Sequence, residues 1–270
     1  MNSPDMSCMA DLPRRPSGQR YPRCAIVVGH DPCLARGHMT TKELGMADKP
    51  GLQDMEGFTL GSPSLVCRWR IAGGTLPLMN RHMRALGARR VNGHRVSTEL
   101  VAWAKQNVEW SLAGSAEEHP DGVLMLIVDE RGQAAMTVGP YEPLPSLALG
   151  AMARRALDSA REAQTSGVAP ETLVCVRDGA LLYDLESGQP ESGVLTLVSD
   201  LAKTFGIPVT RAEGLAAAVV SGEPCEGEFL LASDEHGIVE AADRAGGLAA
   251  RLAGSYQTLL AKARRTHAAR

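Results

Sequence analysis

From about residue 56 onward, short apolar runs alternate with amphipathic stretches, and turn residues fall between them. Residues 58–60 and 65–71 read as strands, with Gly73 and Gly74 as a hairpin turn. A helix is predicted from residue 78 to 86. A second is predicted over 97–112: Ser97 suits the N-cap, Glu99 suits the first turn, and Leu100, Val101, Ala104 and Val108 form one apolar stripe. Residues 123–129 and 133–139 read as strands returning through the turn Asp129-Glu130-Arg131-Gly132. The expected small unit therefore has about four strands and two helices.

Pro140, Pro143 and Pro145 then mark a linker, because proline continues neither a helix nor a strand ladder. Beyond it a helix is predicted over 146–165. Strands at 173–177 and 181–184 should form a hairpin through Asp178-Gly179, a dipeptide suited to a type I′ turn. A helix over 193–205 carries Val194, Leu197, Val198, Leu201 and Ala202 on its apolar face and stops at Gly206. A strand from Ile207, a short helix over 214–220, strands at 228–232 and 238–240, and a helix over 246–264 complete the pattern. The expected division is an extension at 1–55, a small α/β domain at 56–140, a linker at 141–145, a larger α/β domain at 146–264 and a tail at 265–270. The extension holds Pro4, Pro13, Pro16, Pro22, Pro32 and Pro50 and one short strand signal at 24–28, and is expected to be partly disordered.

Composition narrows the function classes. The 270 residues include 44% hydrophobic and 22% charged positions, the balance of an ordinary globular chain. With three Trp, four Tyr and three Phe, aliphatic side chains must build the core. A net charge of −3 gives no basic footprint for nucleic acid or a membrane surface, and no apolar run reaches the ~20 residues that span a bilayer. Cys8, Cys24, Cys33, Cys67, Cys175 and Cys225 form no C-x-x-C pair, so free thiols in a cytoplasmic protein are expected and no metal site is assigned. No apolar leader segment precedes residue 55, so no signal peptide is expected. Of the 28 basic residues only five are lysine: Lys42, Lys49, Lys105, Lys203 and Lys262.

Four segments, in order, carry a resemblance to a known family. Asn80-Arg81-His82-Met83-Arg84-Ala85-Leu86 is like that family's H-L-x-R-L helix. Thr172-Leu173-Val174-Cys175-Val176-Arg177-Asp178-Gly179-Ala180-Leu181 is like its N-L-F-x-V-x-D-G-x-L. Gly193-Val194-Leu195-Thr196-Leu197-Val198-Ser199 is like G-V-L-P-G-I-T, and Phe205-Gly206-Ile207-Pro208-Val209 is like L-G-I-P-V. Glu228-Phe229-Leu230-Leu231-Ala232-Ser233-Asp234-Glu235-His236-Gly237-Ile238 is like E-V-F-L-T-N-S-x-x-G-I. Together these resemble the class IV aminotransferases, which include branched-chain and D-amino acid aminotransferases and aminodeoxychorismate lyase. The resemblance implies an α/β (α+β) two-domain fold like that of D-amino acid aminotransferase, a homodimer, and a small-molecule site between the domains where relatives hold pyridoxal phosphate (PLP).

Three departures from that pattern bear on PLP. The cofactor needs a lysine amine for its Schiff base. The matching position falls near Leu149, and no lysine lies between Gln106 and Ala202. Arg154 and Arg155 do not substitute, because a guanidinium stays protonated. The acid that partners the pyridine nitrogen lies in a segment this chain lacks, with Glu171 the nearest candidate. The phosphate cup is degenerate at Val198, Ser199, Ser233 and Asp234, and Asp200 and Asp234 would repel a phosphate. The expectation is a divergent member, a pseudoenzyme in the PLP sense, with its cleft turned to ligand binding or PLP-independent chemistry. The alternatives are a PLP transaminase or lyase with a relocated lysine, and a non-catalytic dimer partner of an active paralogue. Of the remaining candidates, His82 reads as a packing or capping residue and Cys175 as core. Arg89-Arg90 reads as an exposed helix end. The Asp234-Glu235-His236 turn reads as solvated, with an acid–base pair or weak metal site as the alternative.

Overall fold

The computed structural model describes residues 60–115 and 118–268. The N-terminal extension, including Lys42 and Lys49, lies outside them. So do positions 58 and 59 of the first expected strand, and Leu60 is in no strand. The chain begins its regular structure at β1 (Pro63–Arg70) and continues with α1 (Met79–Ala88), β2 (Arg90–Val91), β3 (His94–Arg95), α2 (Thr98–Ser115), β4 (Gly122–Asp129) and β5 (Ala134–Pro140). Strands β1, β4 and β5 make an antiparallel sheet in that order, and β2 and β3 make a separate ribbon. The ribbon was not expected. Its turn is Asn92-Gly93, both at positive φ, a signal present in the sequence. Inward-facing Leu65, Cys67 and Trp69 of β1 meet Leu124, Leu126 and Val128 of β4, and the helices cover them with Met83, Leu86, Ala104 and Val108. Ser97 is the expected cap of α2: its Oγ accepts from the Leu100 N–H at 3.2 Å.

The second half continues with α3 (Leu149–Ser166), β6 (Thr172–Arg177), β7 (Ala180–Tyr183), α4 (Gly193–Thr204), β8 (Val209–Arg211), α5 (Leu215–Ser221), β9 (Glu228–Ser233), β10 (Gly237–Glu240) and α6 (Gly247–Ala268), which runs past the expected tail boundary at 264. A five-stranded sheet has the order β10-β9-β6-β7-β8. The period-2 side-chain alternation assigns its faces. Val174, Leu230 and Ala232 point toward α4 and α6, joining Val194, Val198, Leu252 and Tyr256 in one core. Their neighbours Leu173, Cys175, Phe229 and Leu231 point the other way, against Met152, Ala153 and Ala156 of α3 and Ala216 of α5. Strand β6 is therefore buried on both faces, which explains its unbroken apolar run. Asp178 and Gly179 both have positive φ, as a type I′ turn requires.

All four helices of this half start on a carboxylate borrowed from elsewhere in the chain. Asp243 accepts from the Leu149 N–H at 2.7 Å, Asp234 from Val194 at 2.9 Å, Asp184 from Gly214 and Ala216 at 2.9 and 2.6 Å, and Glu228 from Leu248 and Ala249 at 2.9 and 2.8 Å. Each satisfies amides that no helical carbonyl can reach and places negative charge at the positive end of the helix.

Packing leaves no room at Gly237, the first residue of β10. Its φ is +81°, and a Cβ there would lie 1.9 Å from a carbon of the Tyr256 ring on α6. Strain and overlap together predict that Gly237→Ala lowers stability by about 2–4 kcal/mol. Urea unfolding of the two proteins checks this.

Candidate functional site

A cleft of about 400 Å³ lies where β1 of the three-stranded sheet faces α3 and the turn after β9. Cys67 and Arg68 line it from β1, Arg89 from the end of α1, Leu144, Pro145 and Ser146 from the linker, and Arg154, Arg155 and Glu162 from α3. Glu171, Ser233, Asp234 and Glu235 complete the wall. The two halves are tied by backbone and side chain: the Arg70 N–H donates to the Asp234 carbonyl at 2.9 Å, and Arg68 forks onto Glu162 at 2.5 and 3.2 Å.

One wall is a polar network centred on Arg155. Its guanidinium pairs with Glu171 and also reaches His236 Nε2 at 2.7 Å. An arginine only donates, so Nε2 must accept, and the ring proton sits on Nδ1, facing the Tyr141 hydroxyl at 3.4 Å. The Ser233 hydroxyl donates to Glu171 at 2.8 Å and accepts from the Glu235 and His236 amides at 3.2 and 3.0 Å. Arg70 stacks 3.4 Å above the Tyr141 ring. Burial, then the nearby Arg155, Arg70 and Arg68, push His236 down to about 3, so it is a neutral acceptor at ordinary pH. Burial pushes the Cys67 thiol up to about 11, which keeps it a poor nucleophile despite the nearby Arg89. Burial also raises Glu235. The expected solvated turn is thus corrected: His236 is buried and Glu235 half-buried, because the turn is cleft wall rather than surface. Ligand atoms of Glu171, Glu235 and His236 converge within 4.8 Å, but the Arg155 guanidinium already bonds two of the three, so a metal ion would have to displace it.

Asp234 links the cleft to the start of α4. Val198 and Ser199 lie more than one turn inside that helix, and Val198 is fully buried in the core. With Thr196-Leu197 in place of the family's Pro-Gly, nothing interrupts the helix, so it starts at Gly193 and the Val198 and Ser199 amides are not at its open end. Ser233 and Asp234 do reach the cleft. The Asp234 carboxylate accepts from the Val194 N–H, and His82 Nδ1 lies 3.6 Å from it. Burial alone would raise this carboxyl, but His82 and the Val194 and Gly193 amides outweigh it and hold it below the usual carboxylate range. Asp200 is not beside it. It sits on the exposed side of α4, paired with Arg81 at 2.8 Å. His82 is buried against Trp69, with ring centroids 5.4 Å apart, and Gly193 gives it space: a Cβ there would lie 2.7 Å from Nδ1. Leu149, the position matched to the Schiff-base lysine, opens α3 and is buried. Lys105, Lys203 and Lys262 are exposed, and none of the described lysines lines the cleft.

Arg89 was misjudged from sequence. It is only 4% exposed, not a solvated helix end: its backbone bonds Leu86 and Val96, and the residue lines the cleft. Its Nη2 is buried with no hydrogen-bond partner.

No protein-family model and no curated protein matches the sequence. Solved structures do. The chain aligns with the apo form of a hypothetical aminotransferase from Mycobacterium tuberculosis at 15% identity and TM-score 0.50, covering 78% of this chain and 95% of that one. Two others align slightly less well. One is a branched-chain aminotransferase-like protein from Thermotoga maritima (14% identity, TM-score 0.49, 74% and 86% covered). The other is 4-amino-4-deoxychorismate lyase from Pseudomonas aeruginosa (16%, 0.47, 72% and 90%). The fold is that of the class IV aminotransferases. At this identity the likeness concerns the fold alone. No helix among the described residues is long and apolar enough to cross a membrane.

The His236 network has a pH signature. Unfolded, its imidazole would titrate near 6.5, and folded it does so near 3. Between those values the unfolded state holds the extra proton, so stability falls as pH falls, by at most about 1.4 kcal/mol per pH unit. The depressed Asp234 carboxyl acts in a lower window: its contribution is present above the usual carboxylate range and is lost only in stronger acid. His236→Gln should therefore flatten the stability profile between pH 6 and 4, measured by urea unfolding at several pH values.

Proposed function

We propose that this protein is a class IV aminotransferase-fold chain whose inter-domain cleft binds a small molecule, without PLP Schiff-base chemistry. The observation that carries this reading is the Asp234 carboxylate on the α4 N-terminal amides. A phosphate held at that helix start would need the same amides and would meet a fixed negative charge. The lining supports the reading a second time. Its cations are arginines, whose guanidinium is no Schiff-base nucleophile, and the described lysines are exposed and outside the lining. These features support a cleft that works without PLP. Glu171 fits no better as a partner for a pyridine nitrogen, since Arg155 and Ser233 already hold it.

The cleft's own chemistry is recognition. The Arg155–Glu171–His236–Tyr141 wall presents a neutral imidazole and a hydroxyl in fixed orientation, and Met152, Val168 and Ala169 supply apolar contact. A homodimer in the cytoplasm is part of the same proposal, by analogy with the fold.

Incubation of the full chain with PLP, followed by absorption spectroscopy, borohydride reduction and peptide mapping, tests the proposal. The expected result is no new visible band and no pyridoxyl group on any of the five lysines. An adduct on one of them, the two in the N-terminal extension included, would establish the alternative, a PLP transaminase or lyase with a relocated lysine.

A further inference from the structure

We infer that Arg89 anchors the carboxylate of a small, singly charged ligand at the floor of the cleft. The inference rests on the reading of the cleft as a ligand site and names the ligand's chemistry.

Most other charges along the lining are already paired. Arg68 pairs with Glu162 and Arg155 with Glu171. Asp158 pairs with Arg161, and Asp234 sits on the α4 amides. Arg154 is at the exposed rim. Arg89 is different: it lines the cleft, is 4% exposed, and keeps Nη2 buried without a hydrogen-bond partner. A buried guanidinium nitrogen with nothing to donate to is costly in the free protein, and the cost is relieved by an acceptor from outside. The neighbouring Cys67 gives no help, since burial keeps its thiol protonated.

The arginine is also held in place. Its N–H donates to the Leu86 carbonyl at 3.0 Å and its carbonyl accepts from the Val96 N–H at 2.9 Å, so the side chain leaves a fixed backbone. A planar carboxylate matches a planar guanidinium edge with two parallel hydrogen bonds. A phosphate dianion suits the site less well, because Glu171, Asp234 and Glu235 share the lining and would repel the second charge.

This assignment makes an unusual combination of predictions. Arg89→Met removes an unpartnered buried charge and keeps the length of the stem, so the variant should melt a few degrees above the parent while losing ligand. Titration calorimetry on the full chain without PLP, with propionate as the probe, should show saturable binding with a Kd on the order of 1 mM, the range open to so small a ligand. Arg89→Met should weaken it by about tenfold or more, and Arg89→Lys, which keeps the charge but loses the fork, by an intermediate factor. Inorganic phosphate should bind more weakly than propionate. Three results would each overturn the inference: no propionate binding to the parent chain, binding unchanged in Arg89→Met, or phosphate binding at least as tight. Loss of folding in Arg89→Met would do so too, because it would make the arginine a structural support. A lysine adduct in the PLP experiment would remove the cofactor-free reading and leave the propionate result standing, so the two failures are distinct.

Discussion

A helix start presents amides that its own carbonyls cannot satisfy, and in the second half of this chain carboxylates from distant residues meet that demand. The contact that matters most is Asp234 on α4. Through its side chain it fixes Gly193 and Val194, through its carbonyl it takes the Arg70 N–H of β1, and its carboxylate lies 3.6 Å from His82 Nδ1 of α1. One residue thus joins the three-stranded sheet, the first helix and the five-stranded sheet at the edge of the cleft. The same contact fills the place where this kind of helix could receive an external anion.

The cleft that remains divides into satisfied and unsatisfied parts. Arg155, Glu171, Ser233, His236 and Tyr141 pass hydrogen bonds from one to the next, so this wall is ordered before any ligand arrives. Preorganised donors and acceptors of this kind lower the cost of binding, since little has to be rearranged. Arg89 stands apart as the group whose environment is incomplete in the free chain. Stability is lost at that position to keep a strong donor ready, a trade common at functional sites.

Local chemistry made much of the fold readable. Asp178-Gly179 has the φ values its turn type needs, Ser97 caps α2, and the alternation through β6 and β9 sorts side chains onto two helical layers. These features depend on residues close in sequence or on strict period. What was missed depends on where the chain goes next. Arg89-Arg90 looks like any basic helix end, and only the assembled cleft, which Arg89 lines, tells the buried Arg89 from the exposed Arg90. The polar turn Asp234-Glu235-His236 carries no apolar signal, yet packing against β1 and α3 makes it part of the cleft. The helix start at Gly193 was legible from the pattern, but that it turns Val198 into the core while Ser233 and Asp234 line the cleft depends on long-range packing.

The central claim is that the Asp234 carboxylate, ionised and bonded to the Val194 amide, occupies the α4 N-terminus. A carbon- and nitrogen-detected NMR titration of the full chain measures this directly, following the Asp234 carboxyl carbon and the Val194 N–H together. The account predicts a carboxyl that stays ionised well below the usual value of 3.8, with the Val194 amide shifting in the same step. A carboxyl that titrates at or above that value, or an amide that does not follow it, would show that the helix start is free and would contradict the account.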